Sequence, residues 1–190
     1  MKSKLPINTR FGASLISKPE VKSILPVCSW WEFEQYRQGK LIDKWEQKNV
    51  NTTEGLNNLL NVGFFGSTQI TTWYLGLFED DYEPLIGDTY AVPGFTESEA
   101  YDEVKRIPYV PVIATTKVIP NTASKGTFTI SATKTIYGAF LCGGGAGIDV
   151  KSDKVTAGAV LFAASKFATE KEVVDGDILM VVCSITLADV

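Results

Sequence analysis

The stretch that most constrains the fold runs from Gly66 to Phe78, reading Gly-Ser-Thr-Gln-Ile-Thr-Thr-Trp-Tyr-Leu-Gly-Leu-Phe. From Gln69 onward it is dominated by β-branched and aromatic residues, with no proline and no charge until Glu79, which favours a pleated strand. Side chains alternate across a strand, so Thr71, Trp73, Leu75 and Leu77 share one face while Ile70, Thr72, Tyr74 and Phe78 share the other. Both faces carry large apolar groups. A strand of this kind sits inside a sandwich or under cover, and the core is expected to assemble around Trp73 and Tyr74.

The remaining segments fit an all-β design. Cys28–Tyr36 and Leu41–Val50 flank Arg37-Gln38-Gly39-Lys40, a connector of hairpin length. In the first of these strands Trp30 and Glu32 share a face, opposite Trp31, Phe33 and Gln35, so one of the two tryptophans enters the core. Asn51-Thr52-Thr53-Glu54, followed by Leu56, Leu59, Leu60 and then Gly63, reads as one short helix laying a leucine stripe on the sheet. Thr96 with Glu99 mimics a capping box, but a helix over Thr96 to Lys105 is only the minority reading, because Arg106-Ile107-Pro108-Tyr109-Val110-Pro111 continues as an edge-like extended piece. Further strands are expected at Thr127–Ser131, Thr135–Cys142, Ala157–Ala164 and Ile178–Leu187. Short strands at this spacing with a single helix near the start point to a sandwich or jelly roll.

Residues 1 to 27 differ in kind. They hold Pro6, Pro19 and Pro26 among scattered apolar residues and sustain neither helical nor strand periodicity, so an extended arm is expected, followed by a sandwich domain over residues 28 to 190. The arm carries +4 (Lys2, Lys4, Arg10, Lys18 and Lys22 against Glu20), which leaves −8 on the rest of a chain whose net charge is −4. An acidic body repels phosphates and argues against specific nucleic-acid binding. The apolar content of the arm is high for a free tail and points to docking on a partner subunit. Candidate partner-contact residues are Lys2, Lys4, Arg10, Phe11, Leu15 and Ile16 in the arm, with Trp30 as an interface anchor.

Composition narrows the chemistry. The chain has no histidine, which removes Ser-His-Asp and Cys-His nucleophile systems and the zinc-metalloprotease helix. Cys28, Cys142 and Cys183 are odd in number and far apart, and are read as small buried hydrophobes. Gly143-Gly144-Gly145-Ala146-Gly147 lacks the Gly-Lys-Ser/Thr ending of a phosphate loop and reads as a flexible hairpin tip. Glu79-Asp80-Asp81-Tyr82-Glu83 matches no calcium-loop spacing and reads as a solvated acidic turn. Neither a cofactor nor a catalytic group is expected. No apolar run reaches the roughly 18 residues of a membrane span and no signal-peptide pattern opens the chain, so a soluble protein made in the cytoplasm is expected.

The run Gly66–Phe78 resembles a segment of small structural proteins of tailed bacteriophages. The likeness extends to the helix opening Glu54–Leu60, to Pro108-Tyr109-Val110-Pro111, to Lys134–Leu141 and to the ending from Leu161-Phe162-Ala163-Ala164 through Val174–Leu179. It departs at Lys105-Arg106-Ile107, where a Thr-Arg pair directly before the proline would be expected. The resemblance implies a capsid cement or decoration protein on the virion surface, with a jelly-roll-like sandwich that clamps neighbouring major capsid subunits and associates into dimers or trimers. The alternative within the same resemblance is a tail or fibre component that binds a host glycan.

Overall fold

A computed structural model describes residues 27–187. Most of the expected arm, including Lys2, Lys4, Arg10, Phe11, Leu15 and Ile16, lies outside the described residues. The described chain folds as two antiparallel sheets packed face to face.

The expected hairpin is present as β1 (Val27–Arg37) and β2 (Lys40–Lys48), closed by the two residues Gln38 and Gly39. Both have positive φ, 51° and 75°, the pair of left-handed conformations that matches the strands' own twist. The chain then crosses to the other sheet at Asn49. β3 (Val50–Asn51) pairs with the long β10 (Val160–Val173) and stays tied to β1: Ser29 Oγ donates to Asn51 Oδ1 (2.6 Å), and Asn51 Nδ2 donates to the Val27 carbonyl (2.6 Å).

In the five-stranded sheet β1 is flanked by β2 and by the final strand β11 (Ile178–Leu187), whose other side holds β7 (Val118–Pro120) and β8 (Gly126–Thr129) end to end. Between those two short strands the ladder is interrupted, and the buried Asn121 fills the gap. Its Oδ1 accepts from the Cys183 amide (2.7 Å) and its Nδ2 donates to the Val181 carbonyl (3.1 Å), so one side chain replaces a missing strand residue. The six-stranded sheet runs β3, β10, β9 (Lys134–Gly143), β4 (Trp73–Phe78) and β5 (Glu97–Ser98), with β6 (Ile107–Tyr109) also on β4. Strands from the two ends of the described chain pair in both sheets, β1 with β11 and β3 with β10, giving the jelly-roll-like winding expected of the sequence.

β4 is apolar on both faces, as its pattern requires. Leu75 and Leu77 point between the sheets into a core with Trp31, Phe33, Phe128 and Leu179. Phe78 points the other way, into a second cluster with Tyr90, Phe95, Phe140 and Leu161, roofed by the long loops on either side of β5 and after β9. The centre of the core is therefore not Trp73 and Tyr74, both only half-buried at the start of the strand. Gln69–Thr72, assigned to the strand by propensity, have left the sheet.

Other expectations shift with packing. The helix α1 spans Thr53–Leu60, with Thr52 Oγ1 capping the Gly55 amide at 2.9 Å, but its leucine stripe is only partly covered, Leu56 being half-buried. The buried helical contact is Gly55 against the Phe162 backbone, an approach that any Cβ would block, and Leu59 and Leu60 are exposed. A wide turn over Asn61–Phe65 extends the helix, and Gly66, at φ 79°, ends it in place of Gly63. Thr96 to Lys105 is not helical: Glu97–Ser98 joins β4 as β5. Cys28 is exposed, unlike the buried Cys142 and Cys183, because its side chain lies on the outer face of the five-stranded sheet.

Candidate docking groove

At the end of the sandwich where β1 begins and β11 finishes, the two sheets diverge around an open groove of about 380 Å³. Leu141, Phe162 and Trp73 of the six-stranded sheet form one wall, and Ile119, Ile185 and Leu187 of the five-stranded sheet form the other. Leu59 and Val62 of the α1 segment close one side, while Gln69–Thr71 and the segment around Pro111 and Ala114 form lips. The groove exists because residues 69–72 peel away from β4. Tyr109, buried at its base, braces the two sheets: its hydroxyl lies 2.7 Å from the Ile119 carbonyl, to which it donates, and 3.2 Å from that of Cys183.

The lining is mostly hydrocarbon. Lys117 and the Tyr109 hydroxyl are its only titratable groups, and burial raises the Tyr109 pKa well above its ordinary value. Residues that continue from the lining are apolar and face solvent: Phe64 is 90% exposed, Phe65 83% and Ile113 86%. Adjacent large apolar groups this open to water are characteristic of an interaction surface. A surface of this composition binds by removing apolar area from water, and it presents no acid–base pair to a substrate.

Trp30 lies elsewhere, on the outer face of β1. It is 37% exposed, and its Nε1 donates to Glu46 Oε2 at 3.2 Å among charged neighbours. It is thus accessible on one flank but does not join the groove.

The glycine run after β9 is packed rather than a loose tip. A Cβ on Gly143 would enter the Trp73 ring, and one on Gly144, which has φ 85°, would meet the Gly158 carbonyl. With Thr68–Thr72 it lines a shallow polar cleft of about 360 Å³ beside Tyr74. The acidic turn is cross-linked to its surroundings: Glu79 pairs with Lys134 (3.3 Å), Asp81 with Lys166 (2.5 Å), and Asp80 accepts from the Thr96 amide (2.5 Å). Among the described residues, no group of three or more His, Cys, Asp or Glu side chains is placed to hold a metal ion.

The most concentrated polar chemistry was invisible to residue patterns. Arg106, buried just before β6, uses all five guanidinium donors. Nε donates to Glu97 Oε1 (2.9 Å), Nη2 to Glu97 Oε2 (2.6 Å) and the Asp153 carbonyl (3.0 Å), and Nη1 to the Tyr90 hydroxyl (2.8 Å) and the Ile148 carbonyl (2.8 Å). Tyr90 in turn donates to Asp153 Oδ2 at 2.7 Å. Burial by itself lowers the Arg106 pKa, but the bonds to Glu97 and Tyr90 and the neighbouring negative charge together outweigh it and the net shift is upward. Hydrogen bonds from Thr156 and Tyr90 hold Asp153 down at about 2. The space beside the cluster is about 10 Å³, little more than a water's worth, so the cluster is a clasp joining the loops over the outer core rather than a substrate site. Neither a protein-family model nor a curated protein matches the chain.

Proposed function

We propose that this chain is a capsid cement or decoration protein of a tailed bacteriophage, binding the major capsid protein shell as a dimer or trimer. The observation that carries the reading is the apolar groove at one end of the sandwich, together with the exposed Phe64, Phe65 and Ile113 next in sequence to its lining, beside the point where a basic, apolar N-terminal segment joins β1. Such a protein acts by adhesion. The sandwich supplies a stiff block over a junction between subunits, and the leading segment adds a second, tethered contact whose effective concentration raises avidity without new chemistry. Trp30, half-exposed on the flank, is available as an additional contact. The likeness to phage structural proteins over residues 41 to 190 supports the same conclusion.

The experiment is attachment. Heads lacking the protein are incubated with the full chain or with a variant missing residues 1–24, and the bound fraction is read after sedimentation. The full chain co-sediments, and the variant keeps the circular-dichroism spectrum of the full chain but binds more weakly. Equal binding by the variant removes the segment from the interface, and no binding by either protein removes the shell as the partner.

A second reading, a tail or fibre component that binds a host glycan, draws on the polar cleft beside Tyr74. Aromatic faces next to hydrogen-bonding backbone suit sugar rings. A glycan-array signal abolished by Tyr74→Ala would favour it over the shell.

A further inference from the structure

The groove and the start of the described chain share one end of the molecule. Val27, the first residue of β1, is the register partner of Leu187, and Leu187 lines the groove. Twenty-six residues precede Val27, and they include Leu5, Ile7, Phe11, Leu15, Ile16 and Ile24. Fully extended, that length spans on the order of 85 Å at about 3.3 Å per residue, several times what is needed to cross a groove of this size. The segment thus has the composition and the reach to fill the groove, and it starts at the groove's mouth.

We infer that the groove is the receptor for residues 1–26 of a second copy of this chain, so that copies associate by exchanging their N-terminal segments. Two observations favour a second copy over the chain's own segment. Phe64, Phe65 and Ile113, which follow or precede the lining residues Val62 and Ala114 in sequence, stand exposed in a single copy and need another surface to cover them. Because the groove and Val27 lie at the same end, two copies meeting through that end place the start of each segment at the mouth of the other's groove, the self-complementary arrangement of a two-fold contact. About 380 Å³ lies within the range of sites that enclose several apolar groups at once.

The inference rests on reading the groove as a docking site but not on the shell, so its test uses the free protein. The full chain carries the photoreactive amino acid benzoylphenylalanine in place of Thr71, on the lip of the groove. Copies with natural and heavy nitrogen are unfolded together, refolded, irradiated and digested. The expected result is cross-links from position 71 to residues 1–26 that join a light peptide to a heavy one, with light scattering giving a mass above that of one chain. Ala114→Trp, which fills the groove from its other lip, should abolish those cross-links and return the mass to that of a single chain. Cross-links joining only peptides of one label would show that each chain fills its own groove. Cross-links to no residue of the segment would show a different occupant. Either overturns the exchange, while attachment to heads, measured separately, would stand or fall by itself.

Discussion

Replacing Arg106 with Met tests whether the buried clasp holds the outer core together. The substitution keeps most of the side chain's length but removes the guanidinium, whose carbon lies 5.5 Å from the centre of the Phe140 ring. Glu97 is left buried with its charge, keeping only the Ser152 amide (2.7 Å) among the strong donors described here. The Ile148 and Asp153 carbonyls and the Tyr90 hydroxyl lose a partner as well. Breaking a buried ion pair from one side costs about 3 to 5 kcal/mol. With a urea dependence of about 2 kcal/mol per molar, the unfolding midpoint should fall by roughly 2 M, and the thermal midpoint by about 10 °C. Adding Glu97→Gln removes the stranded charge, so the double variant should recover about 2 kcal/mol of the loss, because an unpaired buried carboxylate is worse than a neutral amide. Equilibrium urea unfolding followed by tryptophan fluorescence measures both. A loss under about 1 kcal/mol for Arg106→Met, or a double variant no more stable than the single, would refute the view that Arg106 and Glu97 are a coupled pair holding the loops.

Further predictions follow from other particular contacts. Asn121→Ala strands the Cys183 amide and the Val181 carbonyl and should cost about 1 to 3 kcal/mol, with the Cys183 amide losing hydrogen-exchange protection; unchanged protection would show that the gap closes without the side chain. Asp177, buried with Arg37 at 2.8 Å and the Gln35 amide at 2.9 Å, has its pKa lowered from 3.8 to about 2. A lowered folded-state pKa contributes stability that is complete above the unfolded value and is lost as pH falls from near 4 through 2, an effect of about 2 kcal/mol. Urea unfolding across that window should therefore steepen in wild type and flatten in Asp177→Asn; equal slopes would contradict the assignment. Phe64→Ser with Phe65→Ser removes apolar surface that is solvent-exposed in one copy, so the unfolding midpoint should hold while self-association weakens. A large loss of stability would show these rings to be packed.

Much of the sandwich could be read from residue order because it depends on local alternation. The β1–β2 hairpin, the two-faced β4 and the final β11 all follow from period-two patterns and turn residues, and the structure places them where those patterns do. The misses have a common physical origin in tertiary packing. Gln69–Thr71 have strand propensity but line the groove, and Leu59 and Leu60 have helical spacing but stay exposed, because Gly55 is the point of closest approach. β10 runs on to Val173 through Ser-Lys-Phe-Ala-Thr-Glu-Lys-Glu, a stretch too polar to read as core. Its pairing with β9 slips between Lys166 and Lys171, and Phe167 turns inward against Phe33 and Trp45. The partners of Arg106 are 9, 16, 42 and 47 positions away, and no local pattern encodes such separations. The groove is likewise a property of how the sheets diverge, and only its apolar N-terminal neighbour was evident beforehand.

The central claim is that this molecule works in bulk, as a stoichiometric part of a shell. Quantitative mass spectrometry of purified virions, taking the ratio of this chain to the major capsid protein, addresses it most directly. A small whole-number relation to the capsid subunits is the expected result. A ratio matching a single tail or one vertex, or the absence of the chain from particles, would contradict it.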